Sequence, residues 1–121
     1  MTASAAMAAA VRSSPIFVSG DAAAWEIAGP GVRRQVLCWN GAIMLVRVAF
    51  ETGALGPAHS HPHVQCTLVA SGRFELTIGA ESRVLESGGS FIVPSGMVHS
   101  ARALEGGELV DCFTPMREDL V

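Results

Sequence analysis

The stretch Gly53–Gly72 reads G-A-L-G-P-A-H-S-H-P-H-V-Q-C-T-L-V-A-S-G. It places three of the chain's four histidines, His59, His61 and His63, within five residues, and Gln65 follows closely. The fourth, His99, closes a second glycine-marked stretch, Gly88–His99, which reads G-G-S-F-I-V-P-S-G-M-V-H. Side chains alternate faces along an extended strand, so His59, His61 and Gln65 are expected on one side unless a bulge intervenes. Imidazole nitrogen suits zinc, copper, iron and nickel, and two histidines one residue apart on a strand can reach one ion. Gln65 would add a weaker, neutral oxygen ligand, and His99 a third nitrogen from a neighbouring strand. His63 has the same parity but follows Pro62, where strand geometry breaks; it is expected to line the pocket rather than to ligate.

Outward from these stretches the pattern is strand, turn, strand. Val32–Trp39 and Ile43–Glu51 flank Asn40-Gly41, the strongest two-residue hairpin signal in the chain. In the second of these, Met44, Val46, Val48 and Phe50 share one face and Arg47 takes the other. Gln65–Ala70 is expected to turn at Ser71-Gly72 into Arg73–Ile78. Further strands are expected at Ser82–Leu85, Phe91–Val93, His99–Leu104 and Glu108–Thr114, the last two turned at Gly106-Gly107. Trp25–Ala28 reads as a short extended piece and Ile16–Val18 as an edge strand. About ten short strands with glycine-marked turns argue an all-β sandwich or barrel, with a jelly roll as one solution. A short helical C-terminal end is expected around Met116–Leu120. Residues 1–14, rich in alanine and serine, read as a flexible tail without the pattern of a signal peptide, and 15–121 as one domain.

Composition narrows the chemistry. The 121 residues suffice for one modest core, half are apolar, 16% are charged and the net charge is −3. That balance argues against a nucleic-acid partner held through phosphates, and no apolar run is long enough to span a membrane. All cationic side chains are arginine and there is no tyrosine, which removes lysine Schiff-base chemistry and phenolic acid–base roles. Cys38, Cys66 and Cys112 are widely spaced and suggest no disulfide framework. They are expected to be buried small residues in a reducing cytoplasm, with Cys66 pointing away from the metal because its parity opposes that of Gln65.

The two histidine-bearing stretches resemble the paired motifs of the cupin superfamily. Gly53, His59, His61 and Gly72 fit the first motif, with Gln65 where an acid usually stands. Gly88, Pro94, Gly96 and His99 fit the second, with Ala103 in place of its final asparagine. The resemblance implies a cupin jelly-roll (double-stranded β-helix) barrel with the metal inside one mouth. H-S-H-P-H-V-Q, S-G-R-F-E-L-T-I-G and A-R-A-L-E-G-G-E-L-V-D-C-F-T-P-M-R-E-D are similar, more closely, to the KdgF-type cupins of pectin and alginate degradation, which open and ketonise unsaturated uronic acids. That likeness covers roughly residues 43–119 and departs at Val64, where relatives usually carry glutamate.

The likeness implies a metal set of His59, His61, Gln65 and His99, and catalytic roles for Asp111, Phe113 and Arg117. Asp111 and Phe113 share strand parity. An inward Asp111 would be an acid in an apolar mouth, raised by desolvation and lowered by a metal, and able to move a proton in a tautomerisation. Arg117 would hold a substrate carboxylate. Met44, Met97 and Trp39 are further candidates for the cavity wall. The implied protein is a metal-dependent isomerase using one divalent ion (nickel, zinc, manganese or iron) on a small anionic sugar acid. A three-histidine iron centre for dioxygen chemistry and a non-catalytic ligand-binding cupin are the alternatives. A homodimer formed by exchange of the Ile16–Val18 strand is expected to cover an exposed edge.

Overall fold

The computed structural model describes residues 12–121, so most of the expected tail lies outside the described residues. Eight strands follow one another: β1 Trp25–Gly29, β2 Val32–Trp39, β3 Met44–Phe50, β4 Leu55–His59, β5 Val64–Ile78, β6 Glu81–Glu86, β7 Ser90–Val93 and β8 His99–Thr114. All pairings are antiparallel, in the order β1-β2-β3-β8-β5-β6, with β4 also on β8 and β7 also on β5. The chain ends in a 3-10 turn, Glu118–Leu120. This is the expected all-β jelly-roll barrel.

Two long strands organise it. The turns expected at Ser71-Gly72 and Gly106-Gly107 are bends inside β5 and β8, which pair with each other along almost their whole length. Gly72 has φ +84°, and a Cβ there would sit 2.8 Å from the carbonyl oxygens of Glu105 and Gly106. A Cβ on Gly107 would strike the Ser71 carbonyl. Glycine is therefore required because two backbones cross in contact, not because the chain reverses. The pairing register shifts at the same place, between Val69 and Phe74.

The bend also changes which residues face inward. On one side of it Gln65, Thr67 and Val69 are buried; on the other Phe74 and Leu76 are. Val32, Phe50, Val69, Phe74, Leu76, Ala103 and Leu109 form the main apolar core, with the Phe50 and Phe74 rings edge to face at 5.2 Å between centroids.

The N-terminal segment departs from expectation. Ile16–Val18 forms no strand, and Ile16 and Phe17 stand exposed. The segment is held instead by polar ties. Ser14 exchanges backbone and side-chain hydrogen bonds with Trp39, and the wholly buried Gln35 donates from Nε2 to the carbonyls of Gly20 and Ala23. The cysteines are free; Cys38 and Cys66 are exposed rather than buried, because they lie on outward positions of β2 and β5. No helix among the described residues is long and apolar enough to cross a membrane.

Candidate metal centre and its cavity

His59 ends β4 and His99 begins β8, and the two are directly paired across the ladder. His61 lies on no strand: the chain leaves β4 after His59 and re-enters the sheet at Val64. The uninterrupted strand assumed for His59, His61 and Gln65 is therefore absent, as Pro62, which lacks an N–H, would dictate. His61 is brought to the centre by a turn stapled to the second motif. Gly96 N–H donates to the His61 carbonyl at 2.8 Å, and the Ser95 hydroxyl donates to the Pro62 carbonyl.

The three imidazoles converge, with one ring nitrogen from each within 4.8 Å of the others. His61 and His99 are buried and His59 is exposed. Each ring is oriented by the backbone. Nδ1 of His59, His61 and His99 faces the carbonyl of Pro57, His63 and Met97 respectively, at 2.9, 3.0 and 2.9 Å. A carbonyl accepts, so Nδ1 carries the proton and Nε2 presents a lone pair.

That arrangement fits a cation. Nε2 of His99 is buried without a hydrogen-bond partner among the described residues. Nε2 of His61 lies 3.1 Å from Oε1 of Gln65. Gln65 is fixed in this orientation because its Nε2 donates to Thr67 Oγ1 at 3.0 Å and to Asp111 Oδ1 at 3.3 Å. Two lone pairs therefore face each other, which a shared cation relieves. Protonating His61 would also relieve it, but burial, then the Arg117 charge, lowers that ring's pKa. Burial likewise lowers that of His99.

A polar chain leads inward from this centre. The Thr67 hydroxyl accepts from Gln65 and donates to Asp111 Oδ1 at 2.7 Å. Asp111 is buried, and burial pushes its carboxyl up to about 6 against the opposing effects of the Thr67 hydrogen bond and the Arg117 charge. Thr67 was missed in the sequence, although it shares parity with Gln65 and sits directly opposite Asp111 in the β5–β8 register.

His59, Gln65, His99, Asp111, Phe113 and Arg117 line one cavity of about 320 Å³, within the range of small-molecule sites. The Phe113 ring stands edge-on to His61 at 5.6 Å and lies under the Arg117 guanidinium at 5.0 Å. Arg117 is also bound by Asp119 at Nε and Nη2, 3.0 and 2.7 Å.

Four residues expected on the wall, His63, Trp39, Met44 and Met97, are not among those lining this cavity. His63 and Trp39 line a separate surface cavity with Met116, and the His63 ring stands edge-on to that of His61 at 5.6 Å. Met44 is wholly buried in a small cluster with Val46, Phe113 and Met116. Met97 is 39% exposed on the outer surface beside Gly79, and its carbonyl, not its side chain, serves His99. Parity sets Met44 on one face with Val46, Val48 and Phe50, and that end of the face is filled by packing.

Fold and site together define a small jelly-roll barrel with a cluster of three histidines able to hold a metal ion. The cupin-domain family matches residues 46–111. The pectin degradation protein KdgF of Dickeya dadantii (strain 3937) is 37% identical over 103 residues, 84% of this chain and 94% of that protein. The chain belongs to the cupin family. Among solved structures, an RmlC-like cupin from Shewanella frigidimarina is 38% identical with a TM-score of 0.89, covering 92% of this chain and all of that one. KdgF from Halomonas sp. is 33% identical with a TM-score of 0.84, covering 89% of this chain and all of that one.

Proposed function

We propose that this cupin is a KdgF-type isomerase that opens and ketonises small unsaturated uronic acids. The observation that carries the reading is the continuous chain from His61 through Gln65 and Thr67 to Asp111, which presents Gln65 and Asp111 to a cavity sized for one sugar ring. Similarity to a pectin degradation protein supports the substrate class.

His59, His61, His99 and Gln65 would hold one divalent transition ion, whether nickel, zinc, manganese or iron. Lewis-acid stabilisation of an enolate oxygen is the chemistry such an ion supplies when bound, and a neutral ligand set leaves its charge undiminished. Asp111 moves a proton between the enol oxygen and the neighbouring carbon. Its carboxyl, near 6, exchanges a proton readily close to neutrality. Thr67 and Gln65 hold that carboxyl in place, Phe113 walls the reacting face, and Arg117 adds positive charge for the substrate carboxylate.

The test is turnover of an unsaturated monouronate by the metal-loaded protein, followed as loss of ultraviolet absorbance from its conjugated double bond. Acceleration over buffer is expected. Asp111→Asn should keep the metal and lower kcat by about 10²- to 10⁴-fold. A loaded wild-type protein no faster than buffer rules the assignment out.

A further inference from the structure

Two arginines line the cavity, and they differ. Arg117 spends Nε and Nη2 on Asp119 and lays its plane over Phe113. Arg34, on β2, lines the same cavity but uses Nε alone, at 2.7 Å from Glu26 Oε1. Its Nη1 and Nη2 have no partner among the described residues, and its side chain is 30% exposed.

Arg34 is placed there by strand parity and register. Val32 and Arg34 face inward on β2, Arg34 pairs with Val48, and Val48 pairs with Leu109. Asp111 belongs to the next inward rank, opposite Val46 and Thr67. Arg34 thus stands one rank, about 7 Å along the strands, beyond the reacting end. The wall around it is apolar: Val32, Val48, Phe50 and Leu109. Asp111 is the single acid lining the cavity among the described residues, and Glu26, which braces Arg34, does not line it. A guanidinium held at Nε with its opposite edge free is a two-pronged donor in a poorly hydrated wall.

We propose that Arg34 is a second substrate anchor, whose free Nη edge holds the oxygens at the end of a sugar acid remote from the histidines. This deepens the reading above and rests on it for the substrate class. It makes Arg34 a specificity-determining residue: an acid of two or three carbons reaches the histidine end alone, whereas a six-carbon sugar acid spans to Arg34.

The test is binding to the metal-loaded protein by calorimetry, with D-galacturonate as the long probe and glycolate as the short one. Arg34→Met should weaken galacturonate about 10- to 100-fold, the worth of a charge-assisted contact, and leave glycolate within about twofold. Arg34→Lys, which keeps the charge and loses the fork, should fall between wild type and Arg34→Met. A thermal melt separates these effects from misfolding, and Arg34→Lys keeps the test alive should the methionine variant fail to fold. Unchanged galacturonate binding, or equal losses for both probes, overturns the proposal. Because binding is read without turnover, a wild-type protein that binds galacturonate but does not convert the unsaturated uronate sinks the isomerase reading and leaves the anchor standing.

Discussion

The same two strands supply a packed core and a polar centre, and the two regions do opposite work. Phe74, Leu76 and Ala103 from one arm of the bent pair, with Val69 and Leu109 from the other, belong to the apolar core. Gln65, Thr67 and Asp111 form a polar chain, and His99, opposite Ile78 on the other arm, meets it across one cavity. Close packing stabilises the first region, while the second leaves lone pairs facing each other and an acid buried. A site of this kind costs stability, and the adjoining core offsets that cost. Stability and chemistry thus fall to different side chains of one pair of strands, and substitutions in the two regions should separate as well.

Phe74→Ala should give the largest effect. The ring is fully buried against Phe50, so about 3–5 kcal/mol of folding stability should go. Urea unfolding of the metal-free protein measures this, and folded protein should still bind metal at wild-type stoichiometry. His99→Ala should do the reverse. Metal affinity, read by elemental analysis and competition with a chelator, should fall beyond the roughly 10- to 100-fold typical of losing an outer partner, while metal-free stability changes far less than for Phe74→Ala. If the two variants lose metal and stability in equal proportion, the division between core and centre is wrong.

Thr67→Val sits at the boundary. The valine fills the same space but leaves Gln65 Nε2 and Asp111 Oδ1 short of a partner. About 1–3 kcal/mol of stability should be lost, and kcat should fall with metal content intact.

The smallest effect concerns Asp119. Hydrogen bonds from Arg117 hold its carboxyl below the usual carboxylate range. A lowered folded value stabilises above the unfolded pKa, near 3.8, and that contribution is lost as pH falls through the folded value. Asp119 is largely exposed, so Asp119→Asn should cost less than about 1 kcal/mol at neutral pH. The difference from wild type should shrink in acid.

Much of this was legible from spacing, and the misses have physical causes. Alternation put Gln65 with the histidines and Cys66 on the opposite face, because β5 is regular there; for Asp111 it gave only a shared face with Phe113, and the family resemblance supplied the inward direction. Alternation failed at His61, where the chain leaves the ladder, yet His61 still reaches the centre through the Gly96 staple. Ser71-Gly72 and Gly106-Gly107 carry the composition of a reversal, and nothing local distinguishes a reversal from a crossing of two strands. Thr67 and Arg34 went unnoticed because each matters through a register partner, Asp111 for one and Glu26 for the other. Ile16–Val18 has strand-like residues but joins none of this chain's described strands.

The carbonyl grip on the three imidazoles has a further consequence. Pro57, His63 and Met97 fix the ring tilts through main-chain oxygens, so the direction of each Nε2 lone pair follows from the path of the backbone. A set of imidazole and amide donors held in this way would rank divalent ions by their inherent affinity order, which leaves the choice among them to cellular supply.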